Sequence, residues 1–465
     1  MRTERHPAFS HPPLPDLRSL RARGVASPPQ EHVIVTLIIG VNYAPERTGI
    51  APYTAGMAER LIADGEDVRV LTAFPHYPEW RFEAAPPRST SLVVRGVRVR
   101  RLRHRLPRGG SSASRLISEL SFGLRALTAR WGRPDAVVLV SPALFACLVV
   151  APRLLLTRTP FVVWVQDLYG LGIRETSGDG RLARSVSRIE SWLLRRADQV
   201  VVISDGMAQV TQSLGVHPDR ISVVRNWTHI DSTPLADRAG YRAALGWGED
   251  ETVVLHTGAM GTKQDLGNVV EAARLADAAT APVRFVLMGD GMDRKHIEQL
   301  AEGVSRLEVL PPAPSDRYHR MLQAADVLLV NEHPGLRGMA LPSKLTSYFT
   351  SGRPIVAATN AQSATAGEIR RSMAGVQVDA GVPSSLLAAV RALVRDLDLM
   401  SELGASGGRY YRSSLTLDGA ARSFERVLAA LPVAAERLPV PASVSASIDA
   451  VAAREIVVEP VQVVR

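Results

Sequence analysis

The residues in this chain with most to offer chemically are two lysines, each set where a helical pattern begins. Gly258-Ala259-Met260-Gly261-Thr262-Lys263 follows an apolar run and precedes a helical stretch. Gly258 and Gly261 let backbone amides come close to a ligand and Lys263 adds a full positive charge, a combination suited to a diphosphate. The bland alternative is a solvated surface lysine. Leu341-Pro342-Ser343-Lys344 follows a loop containing Gly335 and Gly338. Ser343 there reads as an N-cap, and the helix dipole with Lys344 would face the same anion as Lys263. An ordinary cap beside an exposed lysine is the other reading. Near the start of the chain, Gly49 in Asn42-Tyr43-Ala44-Pro45-Glu46-Arg47-Thr48-Gly49-Ile50 either opens a backbone anion site at a helix N-terminus or simply makes a tight turn.

Other candidates are weaker. Gly289-Asp290-Gly291 ends a strand-like run, but Arg294 stands where a dinucleotide fingerprint needs its third glycine, which disfavours a dehydrogenase. His76, within Phe74-Pro75-His76-Tyr77-Pro78-Glu79-Trp80, is either catalytic or packed into its loop. Asp167, in Gln166-Asp167-Leu168-Tyr169, follows a strand; it either orients an acceptor hydroxyl or acts as a base, or it only stabilises its loop.

Elements that would position these residues are legible from the period of the apolar residues. Short apolar runs alternate with longer helical stretches from about residue 32 onward, the signature of parallel α/β layers. The run Val33–Gly40 does not alternate, which predicts a strand buried on both faces. A helix over Gly49–Ala63 and a strand over Val68–Leu71 complete a βαβ unit. Further strands are expected at Ala136–Val140, Phe161–Val165, Gln199–Ile203 and Ile221–Val224, with a helix over Leu182–Arg196. After a turn-rich link through Asp231, Ser232, Thr233 and Pro234, a second series begins at Thr252–His256 and continues at Val283–Met288, Leu307–Leu310, Val327–Val330 and Pro354–Ala358. Ligands in such sheets bind beyond the carboxyl ends of strands, where the loops above lie.

Composition bounds the rest. A chain of 465 residues exceeds what one core serves, and 46% hydrophobic with 22% charged residues marks it as ordered. A single cysteine, Cys147, and no zinc-spaced cluster fit a reducing cytoplasmic setting and imply no structural metal, and no cofactor is expected. The net charge of +9 is concentrated at Arg95, Arg98, Arg100, Arg101, Arg103, Arg105 and Arg108. That stretch is either a solvated basic face or a site for anions such as lipid headgroups or a phosphorylated substrate; no nucleic-acid motif accompanies it. It precedes an amphipathic candidate, Leu116–Trp131, which suggests peripheral binding to an anionic membrane surface. The apolar segment Ala136–Ala151 is too short to span a bilayer, and Ser141 as N-cap with Pro142 at the first helical position makes it a strand followed by a helix.

Taken in order, these motifs resemble those of family 4 glycosyltransferases of the GT-B fold, in the branch that assembles colanic acid, O-antigen and exopolysaccharide. The resemblance covers roughly residues 33–431 and is carried by the Asn42–Ile50 loop, Tyr77-Pro78-Glu79-Trp80, Ser141-Pro142, Gln166-Asp167-Leu168, Val224-Arg225-Asn226-Trp227, Gly258–Lys263, Gly289-Asp290-Gly291, Pro342-Ser343-Lys344 and Gly352-Arg353-Pro354. It implies two Rossmann-like doubly wound domains facing each other across a cleft, retention of anomeric configuration and no required metal. The donor nucleotide would be held by the second half and the acceptor by the first. The family's phosphate-binding lysine falls on Lys263 and its glycine loop on Gly49. Three departures accompany it: Ala259 replaces an arginine, Gly170 a proline, and Met339 and Ser347 occupy the places of a Glu-x7-Glu pair. Asp396-Leu397-Asp398 resembles the metal-binding Asp-x-Asp of another glycosyltransferase fold but falls inside a late helical pattern and is read as coincidence.

The expected organisation is a disordered leader over 1–30, an acceptor domain over 31–228, a nucleotide-sugar domain over 229–416, a helix over 417–432 crossing back to the first domain, and a poorly ordered tail over 433–465. The expected activity is transfer of a sugar from a nucleotide-diphosphate sugar to a saccharide acceptor, free or polyprenyl-diphosphate-linked. Lys263, Asp167 and His76 would be catalytic, and Gly49, Gly258, Gly261, Lys263, Gly289, Asp290, Gly291, Ser343, Lys344 and Ser347 would hold the donor. A sugar-nucleotide epimerase of the same fold and a non-catalytic partner protein are the alternatives.

Overall fold

A computed structural model describes residues 34–46, 49–77, 79–107, 112–177, 180–228, 233–336 and 342–432. The leader, the tail, Arg47, Thr48, Pro78, Arg108, Asp231, Ser232, Gly338 and Met339 lie outside them.

The first half runs β1 (Val35–Ile39), α1 (Ala51–Ala63), β2 (Asp67–Ala73), β3 (Ser89–Val94), β4 (Val97–Leu102), α2 (Ser112–Thr128), β5 (Ala136–Ser141), α3 (Leu144–Thr157), β6 (Phe161–Val165), α4 (Tyr169–Ser177), α5 (Arg181–Leu194), β7 (Gln199–Val202), α6 (Asp205–Ser213) and β8 (Ile221–Val223). Its strands form one sheet in the order β3-β4-β2-β1-β5-β6-β7-β8, parallel except for β3. β5 and β6 are buried along their whole length, which is why their sequences do not alternate.

The second half runs α7 (Arg238–Ala244), β9 (Thr252–Ala259), α8 (Gly267–Ala278), β10 (Val283–Asp290), α9 (Arg294–Leu300), β11 (Leu307–Leu310), α10 (Ser315–Ala324), β12 (Val327–Asn331), α11 (Lys344–Thr350), β13 (Ile355–Ala358), α12 (Ala364–Ser372), β14 (Gly375–Val378), α13 (Pro383–Leu393) and α14 (Leu397–Ser414). The sheet order β11-β10-β9-β12-β13-β14 is the doubly wound Rossmann order. The last helix, α15 (Leu417–Ala429), returns to the first half. Its Ala420, Ala421, Phe424, Val427 and Leu428 share a core with Ile38, Met57 and Trp164, and the Phe424 and Trp164 rings lie 5.1 Å apart.

Several local expectations need correction. The arginine-rich stretch is part of a β-hairpin, in which Val97 and Val99 face the core and Arg98 and Arg100 point away from them. Arg101 is buried and donates to the carbonyls of Ala44 and Ala73. Arg98 pairs with Asp67, and Arg95 lies 3.4 Å from Glu59, so part of the basic charge is paired at the surface. The amphipathic candidate is α2, and its apolar face, with Phe122 and Ala126, packs in the same core as Ala146 and Cys147 of α3. A Cβ at Gly123 would lie 2.9 Å from the Ala146 Cα, which shows how closely the two helices approach. Ser141 ends β5 rather than capping α3, whose N-cap is Ala143. Asp396 is the N-cap of α14, donated to by the Leu399 amide, so the Asp-x-Asp pattern is a helix start. Among the described residues no helix is long and apolar enough to cross a membrane.

Candidate functional site

In each sheet the chain reverses its winding direction beside its first strand, so the crevices lie beyond the carboxyl ends of β1 and β5 and of β9 and β12. Lys263 and Lys344 follow β9 and β12, and Gly49 follows β1. All three therefore sit where a doubly wound sheet binds its ligand.

The β9 loop owes its shape to glycines on two strands. A Cβ on Gly289 would lie 1.8 Å from the Gly258 carbonyl oxygen, and one on Gly291 would lie 2.1 Å from the Met260 carbonyl oxygen. No side chain fits at either position, so Gly289 and Gly291 let the β10 end pass directly against the Gly258–Gly261 segment. The Met260 amide donates to the Asp290 carbonyl at 2.8 Å, and the Asp290 carboxylate accepts from the Gly291 amide at 2.8 Å. Lys263 then lies in a single 3-10 turn, Thr262–Gln264, with Gly261 as its N-cap, and is exposed. The Asn331 side chain donates to the carbonyls of Gln264 and Asp265 at 2.8 and 2.9 Å, tying this turn to the end of β12.

Lys344 is not presented as Lys263 is. Its ammonium lies 3.0 Å from His256 Nε2 and its stem runs beneath Gly258, where an added Cβ would touch Lys344 Cε at 3.4 Å. Burial pushes Lys344 down to about 7, opposed by the nearby Glu332 carboxylate. His256, fully buried and beside that ammonium, is held neutral well below the ordinary histidine range. Ser343 occupies the N-cap position of α11, but its side chain makes no cap bond; its carbonyl accepts from the Thr346 hydroxyl at 2.8 Å. Ser347, at a glutamate position of the family pattern, is buried and hydrogen-bonds the Tyr318 hydroxyl. It belongs to an uncharged network with Tyr348 and Thr257.

Across from Lys263, in the first half, lies Asp167 at the end of β6. Burial raises its carboxyl to about 6 and the Lys263 charge pulls it back down, so the two residues interact across the two halves of the chain. Asn226 donates to the Gln166 side chain at 2.8 Å, holding the residue next to Asp167. Glu190 accepts from the Tyr169 and Gly170 amides at 2.8 and 3.1 Å, and burial pushes its carboxyl up to about 7. Gly170, where a proline was expected, is required by the packing of α4 on α5: a Cβ there would lie 2.8 Å from the Ser187 Cα.

His76 is held inside its loop. Its side chain is 1% exposed, its Nδ1 lies 2.9 Å from the Phe74 carbonyl and 3.3 Å from Glu46, and its amide donates to Glu46 at 2.8 Å. Glu46 also accepts from the Tyr77 amide and from Asn42, so the motif residues Asn42, Glu46 and His76 form one buried knot that shapes two loops. Gly49 has φ +65, a left-handed conformation that favours glycine, and faces the Tyr77 ring.

Residues that join the two halves had only an indirect signal in the sequence. Arg225, in the Val224–Trp227 motif, donates to Asp205 of α6 at 2.5 Å and to Glu368 of α12 at 3.1 Å. Arg371 also reaches Asp205, and the Tyr410 hydroxyl donates to Glu368. Tyr53 of α1 hydrogen-bonds Thr346 of α11 and packs edge-on against Trp227 at 5.4 Å. A cavity of about 670 Å3 opens between α6 and α12 beside the Asp205–Arg371 pair. Among the described residues no three His, Cys, Asp or Glu side chains are grouped to hold a metal ion.

Comparison with known proteins agrees with this geometry half by half. Residues 48–227 match the model of the glycosyl transferase 4-like domain, and residues 251–396 match that of the glycosyl transferases group 1. The chain is 29% identical over 405 residues to WcaI of Escherichia coli, a protein assigned to colanic acid biosynthesis as a glycosyl transferase, covering 83% of this chain and 98% of that one. Among solved structures, sucrose-phosphate synthase from Thermosynechococcus elongatus superposes with a TM-score of 0.68 at 16% identity, over 85% of this chain and 98% of that one. HepE of Anabaena in complex with UDP superposes with a TM-score of 0.64 at 14% identity, over 86% and 100%.

Proposed function

The chain belongs to the GT-B glycosyltransferases, which act on nucleoside-diphosphate sugars, and from that premise we propose that it transfers a sugar with retention to a polyprenyl-diphosphate-linked saccharide in cell-surface polysaccharide assembly. One observation carries the reading: a lysine at the switch point of the second sheet and a carboxylate at the end of a strand of the first interact electrostatically across the two halves.

In this reading Lys263, beside the close-approaching backbone at Gly261, meets the diphosphate and stabilises the charge that grows on it as the glycosyl bond lengthens. The acceptor hydroxyl attacks from the face the diphosphate leaves, forming the new C–O bond as the bond to the diphosphate breaks and passing its proton to the departing diphosphate oxygen, while Asp167 accepts a hydrogen bond from that hydroxyl to aim it. Lys344 adds a second cation on this side, in the region where Ala259 has none to offer. Because burial disfavours its charged form, a bound diphosphate would draw a proton onto it.

The pH dependence follows from these two groups. Asp167, raised to about 6, is ionised above that value, and Lys344, lowered to about 7, is charged below that value. A plot of kcat/KM against pH is therefore expected to be a narrow bell with limbs near those values. Asp167→Asn should remove the acid limb and Lys344→Met the alkaline one. An acid limb that survives in Asp167→Asn would assign it to another group.

An anionic membrane face is the expected place of reaction. Beside the β3–β4 hairpin a hollow of about 430 Å3 gathers Arg69, Arg98, Arg100 and Arg130 over an apolar floor that includes Leu37 and Leu71. Val93, on the outer strand, is 67% exposed. These four guanidinium groups, two of them sharing the single Asp67 carboxylate, leave net positive charge beside an exposed apolar rim, which suits a phosphate-bearing lipid surface.

The deciding experiment measures nucleotide release from a panel of UDP-, GDP- and ADP-sugars. The protein is supplied with vesicles carrying a polyprenyl-diphosphate saccharide, in anionic or neutral lipid. Release with one donor that requires acceptor and is faster on anionic vesicles supports the reading. Donor consumption without acceptor points to an epimerase, and no consumption of any donor points to a non-catalytic partner.

A further inference from the structure

We propose that Trp80 is the stacking platform of an acceptor-saccharide subsite on the first half of the chain, with Arg115 and Glu119 as its hydrogen-bonding rim. The proposal rests on the glycosyltransferase reading and identifies where the acceptor sugar lies.

Trp80 is 40% exposed, and its backbone φ is +54, a left-handed conformation that side-chain-bearing residues rarely adopt. An exposed indole on strained backbone calls for a compensating role. The ring is held in place: Tyr77 meets it edge-on at 5.4 Å, His76 lies tilted at 5.7 Å, and the Arg115 guanidinium sits 5.9 Å from the ring centre. The buried Glu46–His76 knot thus acquires a purpose, since it anchors the loop that displays Trp80.

Position links this ring to the reaction. The Tyr77 ring also packs against Gly49, in the loop after β1. On the other side, Arg115 and Glu119 are one helical turn apart on α2 and share its face. Glu119 accepts from the Tyr169 hydroxyl and from the Phe145 amide at 3.0 Å. Tyr169 follows Asp167 by two residues and feels its charge, and Asp167 in turn feels Lys263. A line of neighbours therefore runs from Trp80 through Arg115, Glu119, Tyr169 and Asp167 to the proposed donor lysine.

The chemistry fits a sugar. A pyranose presents a patch of C–H groups that packs on an aromatic face and a ring of hydroxyls that needs donors and acceptors at its edge. Arg115 supplies donors. Glu119, which burial holds at about 7, can both accept and donate near neutral pH.

The test uses the full chain and methyl glycosides of glucose, galactose, mannose, fucose, N-acetylglucosamine and glucuronic acid, observed by saturation-transfer NMR. Binding of UDP, GDP and ADP is measured in parallel by calorimetry, and thermal midpoints are recorded. At least one glycoside is expected to bind the wild type. Its affinity should fall tenfold or more in Trp80→Ala, stay within about threefold in Trp80→Phe, and weaken in Arg115→Gln, whose exposed side chain on α2 leaves folding intact, while nucleotide affinity stays constant. Nucleotide binding with no glycoside signal, or with a signal equal in wild type and Trp80→Ala, overturns the subsite and leaves the transferase reading standing. Glycoside binding that depends on Trp80 when no nucleotide binds sustains the subsite and removes the transferase reading.

Discussion

Lys263→Ala should lower the rate of sugar transfer by about 10²- to 10³-fold, the cost typical of removing one preorganised group that stabilises developing negative charge. The thermal midpoint should hardly move, because Lys263 is exposed in a short surface turn, and changes at such positions alter stability by about 0.5 kcal/mol or less. The loss should appear in kcat as well as in donor affinity, since the charge on the leaving diphosphate grows in the transition state. A second consequence separates this residue from a generic surface cation. Lys263 holds the Asp167 carboxyl down, so removing it should move the residual acid limb of the pH profile to higher pH. Steady-state kinetics from pH 5 to 9 would read both effects. Transfer at the wild-type rate by Lys263→Ala would remove the lysine from the mechanism.

Arg225→Met is expected to have the largest effect on the scaffold. Arg225 is 14% exposed and Glu368 4%, and the two are joined at 3.1 Å with Asp205 completing the group. Removing the cation leaves the Glu368 carboxylate buried with the Tyr410 hydroxyl and no paired positive charge, a change that costs about 3 kcal/mol or more. Because Arg225 follows β8 and Glu368 lies on α12 of the other half, the loss should also loosen the relation between the halves, visible as a larger radius of gyration in solution scattering. Adding Glu368→Gln should restore a substantial part of the stability, since it removes the stranded charge. Denaturant midpoints that are equal for wild type and Arg225→Met would show that the buried pair contributes nothing.

These two residues mark how far sequence reasoning reached. Lys263 was singled out because glycines before a charged residue at a strand end are a local pattern with a local meaning. The same logic, applied to Ser343-Lys344, singled out a residue beside the same loop but gave no sign of its hydrogen-bond partner. Lys344 turns toward His256, 88 positions away in the chain, and nothing in the neighbouring residues indicates that. His76 lay within a conspicuous motif, and the motif turned out to build a loop. Its partner Glu46 is 30 positions earlier, and the exposed member of the group is Trp80. The missed hairpin is instructive too: Val97 and Val99 alternate with Arg98 and Arg100, a period of two that the concentration of charge obscured.

What the sequence determined by itself is the layered architecture. Burial on both faces demands uninterrupted apolar strands, and helices packed on a sheet demand an apolar stripe, so the periods of the apolar residues expose the doubly wound order of elements directly. Only the tertiary structure decided which charged groups meet. Asp167 and Lys263 are brought into each other's field by two sheets that approach each other, and Arg225 is shared between Asp205 and Glu368 by the same approach. Such pairings depend on the relative placement of segments 20 and 143 positions from Arg225, a long-range property to which local periodicity is blind.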